Sequence, residues 1–132
     1  MPMKSITIST QRNKQALDIT NRIHQHLQTE ISDGLCNIFV AHTTAGLTTG
    51  EAIEGTDEDL METLERMIPQ INFRHGHDPS HAPDHMISSI IGASLTIPVR
   101  DGKLRLGRWQ RVLLIECNGP RDREIIITFL RD

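Results

Sequence analysis

Two runs late in the chain, residues 112–117 and 124–130, are apolar on both alternations. Leu113, Leu114 and Ile115 follow one another in the first, and Ile125, Ile126 and Ile127 in the second. Successive strand side chains point to opposite faces, so a strand of this kind needs cover on both sides of its sheet. The cover must come from helices, a second sheet or another subunit, and the last option favours an oligomer. With 132 residues the chain amounts to one domain, 1–132, able to bury roughly two-thirds of the surface its unfolded form exposes.

The other elements follow from local pattern. Ile6 and Ile8 alternate with Ser5, Thr7 and Ser9, the period of a half-buried opening strand. Ile19, Ile23, Leu27 and Ile31, with Ala16 on the same face, predict a first helix that stops at Asp33-Gly34. Residues 35–41 form a short apolar run that reads as an interior strand, delivering His42 at its end into the small, polar stretch HTTAGLTTGE. Thr56 is the expected N-cap of a second helix, with Asp57, Glu58 and Asp59 favouring its dipole and Pro69 closing it. Pro83 suits the first turn of a third helix that ends at Gly92. Residues 94–106 then read as a hairpin about Asp101-Gly102, and Asn118-Gly119-Pro120 turns the last two strands. Strands at the start, middle and end with three interspersed helices predict a compact α+β domain with a mostly antiparallel sheet or sandwich.

Composition removes several function classes. A net charge of −3 and only four aromatic residues, Trp109 and three Phe, offer neither a basic field nor a stacking platform, so no nucleic-acid partner is expected. No run approaches the length of a membrane span, and the opening Met1-Pro-Met-Lys-Ser-Ile lacks an apolar leader, so the expected location is cytoplasmic. Cys36 and Cys117 lie in apolar β-rich runs and read as reduced, structural thiols.

Chemistry concentrates in the histidines. His75, His77, His81 and His85 fall within eleven residues, and His42 ends a strand that should hold it rigidly. Three neutral imidazoles with an open fourth position are the makings of a catalytic metal site. Any three of the clustered four are geometrically feasible, and a solvated loop with adventitious metal affinity is the bland alternative. His24 and His26 are two apart on a helix and point in different directions, which makes them structural or solvent-facing. Glu51, nine residues after His42 and still in the loop before the second helix, is placed to accept a proton or orient a ligand, while Thr43 and Thr44 are candidates to hydrogen-bond a substrate. Arg100, Lys103, Arg105, Arg108 and Arg111 crowd one hairpin, and with Arg123 they suit a phosphate or pyrophosphate group.

HTTAGLT with its following Glu51, the histidine loop ending in DHMISSIIG, and SLTIPVRDGKLRLGRWQRVLL together resemble the YjbQ-like family, described as secondary thiamine-phosphate synthases. The most specific element is Ser94-x-x-Ile-x-Val-x-x-Gly102-x-x-x-x-Gly107-x-Trp109-Gln110, followed by Val112, and the likeness spans nearly the whole chain. The resemblance implies a compact α+β fold, a homotrimer and metal-associated sites. It selects His42, His75 and His85 as metal ligands, ranks His77 and His81 below them, and matches Glu51, Trp109, Gln110 and Arg123 to family positions. The chain departs from the family at Arg108, where Thr is usual, at Gly50 for Asn, and at Glu54 for Asp.

The resulting expectation is an enzyme in which His42, His75 and His85 hold a divalent ion, zinc first, with magnesium or another ion as alternatives. Glu51 and Arg123 are the catalytic candidates, and Thr43, Thr44, Trp109 and Gln110 the substrate-binding ones. The reaction implied joins an aminopyrimidine pyrophosphate to a thiazole phosphate with release of pyrophosphate. Because that activity is called secondary, the native substrate is free to differ. The competing expectations are a metal-dependent phosphoester hydrolase, whose ion would activate a water, and a non-catalytic trimeric metal- or ligand-binding protein.

Overall fold

The computed structural model describes residues 3–27, 32–75 and 78–132. Its strands are β1 (Met3–Ser9), β2 (Gln15–Asp18), β3 (Gly34–Val40), β4 (Ala45–Gly50), β5 (Ser94–Arg100), β6 (Lys103–Leu104), β7 (Arg111–Glu116) and β8 (Asp122–Arg131). The helices are α1 (Thr20–Gln25), α2 (Thr56–Met67) and α3 (Ala82–Ile91), the last entered through a 3-10 turn at Pro79–His81. Among the described residues every strand pairing is antiparallel. One sheet runs β1-β8-β3-β5-β6 and the other β2-β7-β4.

The two sheets stack, and helices cover the smaller one, so the α+β expectation is met by three layers. β7 is the middle of these layers. Val112 and Leu114 face the five-stranded sheet and pack with Ile38, Ile125 and Leu47, while Leu113, Ile115 and Cys117 pack under Met61, Leu64 and Ile87 of α2 and α3. Each such side chain, nearly fully buried, contributes about 1.5–3 kcal/mol. The double apolar alternation of β7 is therefore satisfied within one chain.

The second such run is satisfied on one face only. Ile125, Ile127 and Phe129 of β8 point into the sandwich, but Leu130 stands opposite Leu35 and Ile126 opposite Phe39 on the outer face. Leu35, Phe39 and Leu130 are all exposed there, as is Met3 of the neighbouring strand.

Local boundaries differ from the sequence pattern in three places. The first helix does not include Ala16: residues 15–18 pair with β7 as β2, and α1 begins at Thr20, whose amide and hydroxyl both donate to Asp18 Oδ1, at 3.0 and 2.7 Å. Ile31, assigned to that helix face from sequence, lies outside the described residues. The stretch 45–50, read as a loop, is β4, and Gly46 is where the end of α3 crosses it: a Cβ there would sit 2.9 Å from the Gly92 carbonyl oxygen. Thr56 is the first residue of α2 and not its cap; Gly55, with φ 82°, takes that position. The Asp101-Gly102 hairpin forms as expected, with φ of 53° and 74°, both left-handed as a tight primed turn requires.

Candidate functional site

His42 leaves β3 where that strand ends, and its ring takes over from the ladder. The Ala41 amide donates to the Glu124 carbonyl at 3.2 Å, and the Glu124 amide, beyond the last β3 partner, donates to His42 Nε2 at 2.8 Å. Burial, followed by the Arg123 charge, holds His42 below the ordinary histidine pKa. The ring borders a cavity of about 760 Å³ lined by Thr43, Thr44, His85, Asn118, Arg121 and Arg123, among others. That volume is within the range of small-molecule sites.

Arg123 forms one wall. Its Nε donates to Glu116 Oε1 at 2.8 Å, and its Nη2 bonds Glu116 Oε2, the Thr44 hydroxyl at 2.8 Å and the Thr44 carbonyl at 3.1 Å. Both charges are essentially out of solvent, Arg123 2% and Glu116 0% exposed. Glu116 also accepts from the Thr10 hydroxyl at 2.6 Å and the Asn118 amide at 3.0 Å. Burial alone would raise its carboxyl, but the bonds from Arg123, Thr10 and Asn118 outweigh that and hold it below the usual value. Arg123 is thus a buried wall of the cavity, held by Glu116 and Thr44, while Arg121 beside it is exposed. Thr44 is buried and spent on Arg123, whereas Thr43 is exposed and free to meet a ligand.

The histidine loop approaches from the other side. His75 and His85 are stacked, with ring centroids 5.2 Å apart, and His85 shares the cavity lining with His42. His75 Nδ1 accepts from the Asp78 amide at 3.2 Å, which fixes it at the entrance to the 3-10 turn. His81 turns instead to the Asp78 carboxylate, at 3.3 Å. His77 lies outside the described residues. The three selected histidines thus come to one region. Among the described residues, however, no three His, Cys, Asp or Glu side chains are disposed to hold a metal ion.

Glu51, Trp109 and Gln110 do not join them. β4 and β7 run antiparallel from the Ala45–Glu116 pair, beside the cavity, to the Gly50–Arg111 pair at the far end. At about 3.4 Å per residue, Glu51 and Gln110 are on the order of 20 Å from His42 along the sheet. Gln110 organises that far end, accepting from the Gly107 amide and donating to the Thr49 hydroxyl, each at 3.0 Å. Trp109 is 57% exposed with the Arg108 guanidinium 4.9 Å from its ring centre. The basic hairpin also lies apart from the cavity: Arg111 pairs with Asp18 at 2.7 Å, and the cavity cations are Arg121 and Arg123.

Glu116 was hidden from the sequence reading inside an apolar run, although a single acid in a doubly buried strand is itself a signal, since a buried carboxylate needs a cation. Lys14 was likewise passed over; it pairs with buried Asp84, next to His85, and with the Cys117 carbonyl. The remaining structural expectations hold. His24 Nε2 accepts from the Leu104 amide at 3.3 Å, and both cysteines are free and buried, with Cys36 pushed up to about 11 and Cys117 to about 12 by burial. No helix among the described residues is long and apolar enough to cross a membrane.

Comparison with known proteins gives a consistent result. The family model for UPF0047 protein YjbQ-like matches residues 4–132. A UPF0047 protein of Archaeoglobus fulgidus is 34% identical over 126 residues, covering 95% of this chain and 98% of that protein. UPF0047 protein YugU of Bacillus subtilis is 33% identical, covering 97% of this chain and 98% of its own length. Among solved structures, the hypothetical protein APE1520 from Aeropyrum pernix superposes with a TM-score of 0.91 at 36% identity over the full length of both chains. A YbjQ-like protein of unknown function from Sulfolobus solfataricus gives 0.90 at 34% identity, covering 99% of this chain and 97% of that one.

Proposed function

The chain belongs to the YjbQ-like UPF0047 family, and from that premise we propose that it is a transferase of small phosphorylated substrates, working in the cavity bordered by His42, His85, Arg121 and Arg123. One observation carries the reading: a small-molecule cavity lined by the exposed Arg121, by Arg123 locked on Glu116 and Thr44, and by two imidazoles, His42 and His85. Donors fixed in advance stabilise an anion as it develops without having to reorganise, the main need when pyrophosphate departs. Arg121 adds a second cation, its Nε tied to the Asn118 carbonyl at 2.8 Å, and Thr43 adds a free hydroxyl. The reaction the resemblance implies is thiamine-phosphate synthesis, with a different native substrate left open by its secondary standing. Two free, buried cysteines suit a reducing, cytoplasmic setting.

The resemblance assigns a divalent ion, zinc foremost, to His42, His75 and His85. As hydrogen-bonded, those residues do not fit it. His42 and His75 each give a lone pair to a backbone amide, so the anion chemistry proposed here rests on the arginines.

The homotrimer is part of the same proposal. The outer face of the five-stranded sheet leaves Met3, Leu35, Phe39 and Leu130 exposed, and a subunit contact would supply the missing cover. Glu51, Trp109 and Gln110, too distant to serve their own chain's cavity, would serve a neighbour's in a head-to-tail ring, the heterologous contact that closes a trimer. Incubation with aminopyrimidine pyrophosphate and thiazole phosphate should yield the joined phosphate and pyrophosphate in equal amounts. Pyrophosphate without joined product would indicate a hydrolase, and binding without turnover a non-catalytic module; either ends the transferase reading.

A further inference from the structure

We propose that His42 serves the cavity as a fixed N–H donor to a substrate oxyanion, with its ring proton on Nδ1, and not as a lone-pair ligand to an ion. The inference rests on the phosphorylated-substrate reading of the same cavity and assigns one residue's role within it. A neutral imidazole has one N–H and one lone pair, and each nitrogen can play only one of these parts at a time. The Glu124 amide donates to Nε2 at 2.8 Å, so the lone pair is on Nε2 and the proton on Nδ1.

The partner's identity makes the assignment firm. A ligating histidine ordinarily donates its second ring N–H to a carboxylate or carbonyl, which leaves the other nitrogen's lone pair for the ion. Here the partner is a backbone amide, which can only donate. Nor is this amide free to choose another acceptor, because Glu124 lies beyond the last β3 residue paired with β8, and the His42 ring stands where the next rung would be. Binding an ion through Nδ1 while keeping that bond would require a fully deprotonated ring; binding it through Nε2 would strand the amide.

His75 repeats the pattern with the nitrogens exchanged. Its Nδ1 accepts from the Asp78 amide at 3.2 Å, which puts the proton on Nε2. Two of the three converging rings therefore carry an N–H in place of a free lone pair, and His42 borders the cavity with Arg121 and Arg123, while Asp122, bonded by the Ser9 hydroxyl at 2.7 Å, is the acid lining it. Such a set recognises phosphate-type oxygens, whether of inorganic pyrophosphate or of a phosphoester.

Long-range proton–nitrogen correlation spectra of the 15N-labelled protein, with His42 assigned by comparison with His42→Gln, read the tautomer directly. Expected are a protonated Nδ1, a shift of that nitrogen on adding inorganic pyrophosphate under chelator, and no change on adding one equivalent of zinc. The same pyrophosphate titration compares variants. His42→Gln keeps an acceptor for the Glu124 amide and a donor for the anion, so its affinity should stay within about threefold of the parent, whereas His42→Ala should lose roughly tenfold. A proton on Nε2, or stoichiometric zinc shifting His42, overturns the inference even if pyrophosphate still binds, and then leaves the transferase reading standing. Failure of pyrophosphate to bind at all removes both.

Discussion

Arg123 and Glu116, seven residues apart in sequence, form a buried pair in which Arg123 Nε donates to Glu116 Oε1 at 2.8 Å and each side chain is almost fully removed from water. The pair joins the two sheets, since Glu116 ends β7 and Arg123 is the second residue of β8, and it sets one wall of the cavity. Removing one member leaves an uncompensated buried charge. Arg123→Met should therefore cost about 3–5 kcal/mol, read as a lower urea midpoint with unchanged slope.

The same pair fixes an acid limit. Glu116 is held below the ordinary value of 4.5, so its folded form binds its proton less readily than the unfolded chain. Its contribution is complete above that value and is lost as pH falls through the lower folded pKa. Urea midpoints measured downward from pH 5 should drop, and should drop less steeply in Glu116→Gln.

A second pH effect begins nearer neutrality. Burial first, then the charges of Arg111 and Lys103, lower His24 from 6.5, and its Nε2 accepts from the Leu104 amide. Protonation would remove that acceptor. The stabilisation is present above about 6.5 and is lost as pH falls toward the depressed folded value. His42 shifts in the same direction, so the test is a difference: thermal midpoints of the parent minus those of His24→Gln, expected to shrink between pH 7 and 5.

How far these relationships were readable beforehand varies with their range in sequence. The Asp101-Gly102 turn, the close of α2 before Pro69 and the end of α3 at Gly92 rest on neighbouring residues, and all appear where local chemistry puts them. β2 was absorbed into the first helix because Ala16, Ile19 and Ile23 fall at helical spacing, and only the pairing with β7 reveals it as a strand. β4 looked like a loop because its glycines and threonines have little strand character of their own; it is a strand because β7 pairs with it along its length. That misreading also misplaced Glu51. A loop after His42 would let Glu51 fold back toward it, whereas an extended strand carries it to the opposite end of the sheet.

Arg121 separates binding from folding. It lines the cavity with its Nε on the Asn118 carbonyl, and its side chain is exposed, in contrast to the buried Arg123. Arg121→Ala should leave the thermal midpoint within about 1 kcal/mol of the parent in stability terms. It should weaken binding of a phosphorylated substrate by about tenfold, as expected for one charge-assisted hydrogen bond. Equal loss of stability and binding would mean that Arg121 supports the turn and not the ligand.

Trp109 tests the assembly. It is the chain's one tryptophan and is 57% exposed within a single subunit, so its emission reports whether a neighbour covers it. In a head-to-tail trimer the indole, stacked with Arg108 on the turn held by Gln110, would be desolvated against the next copy. Emission should then be blue-shifted at concentrations where sedimentation gives a trimer and should move to the red on dilution, as the chains part. Trp109→Ala should weaken association by about 2 kcal/mol or more, as truncating a central aromatic anchor does, while leaving the monomer folded because the side chain is exposed and belongs to neither core cluster of the described residues. A trimer in which Trp109 emits as fully solvated would place the subunit contact elsewhere, with the outer face of the five-stranded sheet, around Phe39 and Leu130, as the next surface to mutate.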